Sequence, residues 1–282
     1  MSTTNSIRTA LLLGLMTGLV LVCGALIGGR TGVVVALGLA AAMNFGSYWF
    51  SDRIVLSMHR AQPVDARQAP RLHSIVERLV ATARLPKPRL YVLPQQAPNA
   101  FATGRNPEHA AIAVTAGLLE AMDDEELEGV LAHELGHVAN RDILISSIAA
   151  TIAGAVSSLA FFARWGAIFG GVGGRDERGG GGLIGLLAMA IVAPIVAVIL
   201  QMAVSRSREF GADATGARFA GQPYGLARAL QKLDGINRRV PLRTSPATSH
   251  LFIVAPLTGG GLTSLFSTHP PIDERVRRLL GR

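Results

Sequence analysis

Four stretches of the chain carry no charged residue over a membrane-crossing length. They lie between Arg8 and Arg30, Arg30 and Asp52, Asp142 and Arg164, and Arg178 and Arg206. Each is rich in Leu, Val, Ile, Ala and Gly, and a run of this kind spans a hydrocarbon core of roughly 30 Å as a helix. The first is too long for the apolar region of a signal peptide and lacks a small-x-small cleavage site, so it reads as an uncleaved anchor. Only Gly28-Gly29-Arg30-Thr31-Gly32 separates the first two, which predicts a tight helical hairpin turned on glycine. Pro194 predicts a kink in the fourth.

The polar stretches, Asp52 to Asp142 and Arg206 to Arg282, carry other periodicities. Leu72, Ile75, Val76, Leu79 and Val80 repeat at helical spacing up to Pro86-Lys87-Pro88. Arg89 to Leu93 and Ala110 to Thr115 read as short strands, with Pro98 to Gly104 between them. One helix is predicted from Thr115 and another from Asp123, where Asp123 and Glu126 form a capping-box pattern. Neither stretch is large enough for a comfortable core, so one domain assembled from both is expected.

Composition supports a membrane protein. The chain has 282 residues, 49% hydrophobic and 16% charged, against roughly 25% charged in soluble domains. Its mean hydropathy is positive. The net charge of +8 is dispersed, without a basic run or an aromatic ladder, which argues against nucleic acid as a partner. Cys23 is the sole cysteine, so disulfides and a cysteine-based zinc ribbon are excluded. Arg8, Arg53, Arg60, Arg206 and Arg208 flank one side of the spans, whereas Arg30 and a nearly neutral loop flank the other. The positive side is the cytosolic one, which puts both termini and both polar stretches in the cytosol. The Gly-rich loop, with Gly179 to Gly182, becomes an external connector.

The candidate chemistry sits in His133-Glu134-Leu135-Gly136-His137. Histidines four apart share one helical face and can share a tetrahedral metal, with Glu134 beside it to take a proton from water. After the fourth span come Glu209 and Asp213, again four apart. Glu209 is suited to coordinate and Asp213 to hold the far nitrogen of a ligating histidine; a plain helix salt bridge with Arg206 or Arg208 is the alternative. His137 lies just before the third span and Glu209 just after the fourth, so both groups lie about 10 Å from the same membrane face. His59, His73, His109 and His250 have no partner spacing and read as solvated.

Over nearly its whole length the chain resembles the HtpX-type membrane zinc metalloproteases, relatives of the CAAX prenyl endopeptidases. The matching segments are the four spans, Pro98 to Gly104, HELGHVANRD from His133, SRSREFGAD from Ser205 and THPPIDERVRRL from Thr268. The resemblance implies a mainly α membrane protein with four transmembrane helices and a cytosolic zincin-like α+β catalytic domain holding a small sheet. It implies one Zn2+ per chain on His133, His137 and Glu209, with Glu134 as general base and His269 stabilising the tetrahedral intermediate. Asn99, Ala100 and the strand they begin would line the substrate cleft, with Arg275 behind His269. The division expected is a transmembrane hairpin at 9–51, a first catalytic part at 52–142, spans three and four at 143–205, and a second catalytic part at 206–282. The implied setting is a bacterial cytoplasmic membrane, and the implied substrates are membrane-protein or unfolded polypeptides cut during stress-linked quality control.

Two other functions use some of the same residues. An intramembrane-cleaving metalloprotease would use Leu233-Asp234-Gly235, although these lie in a basic amphipathic stretch and read better as a helix end with a glycine stop. A membrane scaffold or chaperone with structural zinc would close the site with a fourth protein ligand. Gly211, a glycine within an expected helix, suggests close helix packing, and Arg243 to Thr268 suggests a flap or a loop over the cleft.

Overall fold

The computed structural model describes residues 3–153, 206–239, 253 and 270–281. The protein is mainly helical, with a small mixed sheet. Helix α1 covers Thr3–Met58 but is not one straight rod. Asn44 Nδ2 donates to Thr17 Oγ1 at 2.8 Å, and 27 residues of straight helix would hold them about 40 Å apart. The chain therefore doubles back between them. Gly29 at φ +55° supplies a left-handed backbone that other residues rarely adopt. The second arm, Gly29–Met58, is long and apolar enough to cross a membrane.

Beyond the hairpin come β1 (Gln62–Pro63), α2 (Pro70–Ala83), β2 (Arg89–Leu93), β3 (Ala100–Thr103), β4 (Ala111–Thr115), α3 (Ala116–Ala121) and α4 (Asp124–Ala139). An apolar helix follows, α5 (Ile143–Ala153). The later described elements are α6 (Arg206–Ala220), α7 (Tyr224–Arg239) and α8 (Ile272–Leu279). The periodic run from Leu72 becomes α2, which stops at Arg84 in the left-handed region (φ 53°). Thr115 caps α3 by accepting from Leu118 N. Asp123 and Glu126 form the full reciprocal box at the start of α4. The two-residue β1 was not foreseen; it is too short to carry a pattern.

The sheet order is β1-β2-β4-β3. β4 runs parallel to β2 and antiparallel to β3, so Arg89, Ala111 and Thr103 lie at one end. Both sheet faces are covered. Ala100, Ala102, Ile112 and Val114 face the main core, which draws Leu72 and Leu79 from α2, Leu131 and Leu135 from α4, Leu226 to Leu233 from α7 and Val276 from α8. Phe101, Ala111 and Ala113 face Val55 and Leu56 of α1 and Ala150 of α5. Complete burial of β4 follows, and a strand covered on both faces reads as a continuous apolar run.

Three expectations need correction. Leu233-Asp234-Gly235 does not end a helix, because α7 continues to Arg239. His59 is buried rather than solvated, and its ring lies 5.4 Å from that of Phe101. Gly211 does not mark a tight approach, since a Cβ there would meet only Asn140 Nδ2, at 3.7 Å. The fourth span, its Pro194, the Gly-rich loop and most of 243–268 lie outside the described residues.

Candidate active site

The site is built where α4 crosses α6. Three acids, Asp124, Glu125 and Glu126, occupy the first turn of α4 and His137 the last, an arrangement that suits the helix dipole. The rings of His133 and His137 lie on one face, centroids 4.7 Å apart and nearly perpendicular. Two glycines then let the helices touch at the backbone. A Cβ on Gly136 of α4 would stand 2.7 Å from the carbonyl of Ala212, and one on Gly216 of α6 would stand 2.8 Å from the backbone N of His133. Any larger residue at either position would hold α6 away. This contact carries Glu209 to the histidines: its carboxylate lies 3.5 Å from His137 Nε2 and 3.9 Å from His133 Nε2.

The three donors lie within 4.8 Å of one another. Bonds of about 2.0–2.2 Å at tetrahedral angles would space donor atoms by roughly 3.3–3.6 Å, close to what is found. The ring orientations fit as well. His133 Nδ1 faces Asp213 Oδ1 at 2.9 Å and His137 Nδ1 faces Asp142 Oδ2 at 3.3 Å. Each carboxylate holds one ring nitrogen, which turns the other toward Glu209. The residues present fit a divalent ion.

Asp142 is the partner that sequence reasoning missed, having been read only as the start of a span. Its position comes from the way α4 ends. Asp142 N donates to His137 O and Arg141 N to Val138 O, with Arg141 in the left-handed region at φ 59°. This is a Schellman ending, built here without glycine. It turns the chain so that Asp142 lies back over His137. An acid five residues after the second histidine was the available signal.

Behind the ligands lies a buried charge network. Arg275 is 1% exposed and grips Asp213 with two bonds, Nε to Oδ2 at 2.9 Å and Nη2 to Oδ1 at 2.7 Å. Its Nη1 lies 3.7 Å from Glu209 Oε2 and donates to the carbonyl of Ile253 at 2.9 Å. Arg275, expected behind His269 in the substrate-binding set, lies against these carboxylates. Burial would raise Asp213, but the charges of Arg275 and His133 hold it down at about 2.

The other groups titrate unusually. Burial lowers His133 to about 4. Burial would lower His137 too, but Asp142 and Glu209 outweigh it and hold the ring at about 9. Glu134, 3% exposed, is raised to about 7, chiefly by burial, with the Ala102 backbone favouring its ionised form. That contact sets Glu134 beside β3. A carboxylate with a pKa near neutrality is well matched to taking and returning a proton.

His133, Glu134, His137, Glu209 and Asp213 therefore converge. Asn99 and Ala100 stand at the head of β3. Asn99 Oδ1 accepts from Ala100 N at 2.8 Å and Ile253 N at 3.2 Å, while its buried Nδ2 has no partner among the described residues. His269 lies outside the described residues. Asp234 is not among the three donors.

Comparison with known proteins agrees with this geometry. A family profile described as Peptidase family M48 matches residues 66–282. A protease HtpX homolog of Desulfatibacillum aliphaticivorans is 59% identical over 277 residues, covering 98% of this chain and 89% of that protein. One from Desulforapulum autotrophicum is 55% identical over 275 residues, with the same coverage, and one from Pyrococcus furiosus is 51% identical over 97% of this chain and 94% of that protein. The crystal structure of S. mikatae Ste24p shares the fold at a TM-score of 0.50 and 19% identity, over 97% of this chain and 65% of that one.

Proposed function

This chain belongs to peptidase family M48 and is a membrane-associated metalloendopeptidase of the HtpX type, and we propose that it hydrolyses peptide bonds in cytosol-exposed segments of membrane proteins. The expected zinc metalloendopeptidase function agrees with the family match and with the His133-Glu134-His137 triad. The observation that carries the reading is the three-donor cluster with Glu134 beside it. Among the described residues three protein donors converge, a set that leaves a coordination position open, as hydrolytic sites require, whereas structural zinc sites are closed by four. This favours an enzyme over a scaffold or chaperone. The ion we assign is zinc, one per chain, on the chemistry of two imidazoles and a carboxylate.

When bound, that ion supplies Lewis acidity, polarising a carbonyl and making water more acidic. The chain's own residues do the rest. Glu134 takes the proton of the attacking water and hands it to the departing amine. Asp213 and Asp142 keep the two imidazoles oriented, and Arg275 keeps Asp213 ionised. Asn99 offers its buried Nδ2 to a substrate carbonyl, and Ala100 begins the strand on which the substrate lies. His269 is assigned to the developing oxyanion by family resemblance.

The wider reading is a four-span protein of the bacterial cytoplasmic membrane, divided at 9–51, 52–142, 143–205 and 206–282, with termini and catalytic parts in the cytosol. The apolar arm Gly29–Met58 and the apolar α5 support it, as does the sidedness of the arginines. Its role would be removal of damaged membrane or unfolded polypeptides under stress.

The test is metal analysis of the purified protein beside digestion of a membrane-inserted substrate, with and without chelator. One equivalent of zinc and chelator-sensitive cleavage are expected, and Glu134→Gln should keep the metal and lose about 10²–10⁴-fold in rate. Undiminished cleavage by that variant overturns the mechanism.

A further inference from the structure

The sheet has a fixed direction relative to the apolar helices. Thr103, the last residue of β3, meets Ser147 of α5 hydroxyl to hydroxyl at 2.7 Å, and Gly104 N donates to the same Ser147 Oγ at 3.2 Å. Arg105, next in the chain, stacks its guanidinium over the ring of Trp49, 4.5 Å from its centre. Arg89, level with Thr103 across the sheet, donates to Asp52. Trp49 and Asp52 stand at the end of the charge-free run in the second arm of the hairpin, and Ser147 lies five residues into the apolar run that begins after Asp142. The opposite end of β3, at Asn99, is tied instead through Ile253 to Arg275. So β3 runs from the polar interior of the catalytic part toward the bilayer.

β3 is also an edge strand of the sheet. Thr115 N donates to Asn99 O, and the register of β3 on β4 then makes Asn99, Phe101 and Thr103 the hydrogen-bonded positions. By alternation, the peptide groups of Ala100 and Ala102 point away from β4, where the N–H of Ala100 donates to Asn99 Oδ1 and that of Ala102 to Glu134, two side-chain contacts that an added strand would replace. No other strand pairs with that edge among the described residues. Glu134 lies beside Ala102, so the edge and the proton acceptor share one place.

We propose that the enzyme takes polypeptides whose membrane anchor lies on the N-terminal side of the scissile bond, threaded outward from the bilayer. This inference rests on the peptidase reading above. An extended chain adds to a sheet edge through main-chain bonds, and the antiparallel arrangement is the more stable and more frequent one. Antiparallel to β3, the substrate's N-terminal part lies at Thr103 and its C-terminal part at Asn99. The anchored end therefore enters beside Trp49 and Ser147, and the cut falls beyond it, where the strand passes Glu134. The opposite polarity would require a C-terminal anchor to double back past the catalytic domain.

The test uses the full-length, metal-loaded protein in nanodiscs, where both membrane faces are open. One unstructured segment is offered in three forms: free, fused after a single transmembrane helix, and fused before the same helix. The form fused after the helix should be cut faster than its mirror by about tenfold or more, because reversed polarity forfeits several main-chain bonds. Mass spectrometry should place the cut at a constant distance from the anchor, so a five-residue spacer moves the site back by five residues in the segment. Equal rates for the two anchored forms, or preference for the C-terminal anchor, overturn the polarity while cleavage of the free segment leaves the peptidase reading standing. Failure to cut any of the three overturns that reading and the polarity with it.

Discussion

The crossing of α4 with α6 and the hairpin of α1 are both helix pairs, but they are held together by opposite means. At the crossing, backbones touch through Gly136 and Gly216, and five ionisable side chains are buried around the contact: His133, Glu134, Glu209, Asp213 and Arg275. In the hairpin, a side-chain bond joins Thr17 to Asn44, and large apolar residues such as Val34 (71%) and Phe45 (61%) stand exposed. A metal site needs donors held to tenths of an ångström, which close packing and paired charge supply. An apolar hairpin of membrane-crossing length needs only to stay apolar outside and satisfied within. The crossing should therefore be brittle and the hairpin tolerant.

The severest break is Arg275→Leu. It strands Asp213 and Glu209 as buried carboxylates, and removing one partner of such a network costs about 3–5 kcal/mol. A sharp fall in thermal stability and loss of metal are expected, read by melting and metal analysis in detergent. Gly136→Ala comes next. Its Cβ must push Ala212 and α6 outward, an overpacking of about 1–3 kcal/mol, and the metal-binding isotherm should weaken because Glu209 moves with α6.

Asp142→Asn is milder and more local. It should leave the fold intact and weaken metal binding by about 10–100-fold, the usual effect of losing a ligand's carboxylate partner. In the unsubstituted protein, a proton on His137, held to about 9, competes with the ion. Apparent metal affinity should therefore rise as pH climbs toward 9, and binding at pH 7.5 should release a proton, measurable by titration calorimetry in buffers of different ionisation enthalpy. The smallest effect is expected in the hairpin. Thr17→Val should cost about 0.6 kcal/mol, typical of such bonds between membrane helices, with unchanged metal content. A large loss of metal there would remove the contrast between the two pairs.

Much of this protein could be read from local pattern. The apolar runs, the reversal at Gly29, the capping box at Asp123 and the spacing of His133 with His137 each depend on residues a few positions apart, so a single strand of text contains them. Glu209 and Asp213 were legible for the same reason, as a pair one helical turn apart. The tertiary structure alone decided which partners meet. Asp142 reaches His137 only because α4 ends with Arg141 in a left-handed turn, and Arg275 reaches Asp213 across 62 residues of chain. The distance between α4 and α6 is set by two glycines whose spacing carries no periodic signal. The direction of β3 relative to the apolar helices likewise depends on contacts with Trp49, Asp52 and Ser147 from two separate helices. Periodicity records what one element does with its own neighbours, whereas the approach of two elements is set by volume and charge at positions far apart in the chain.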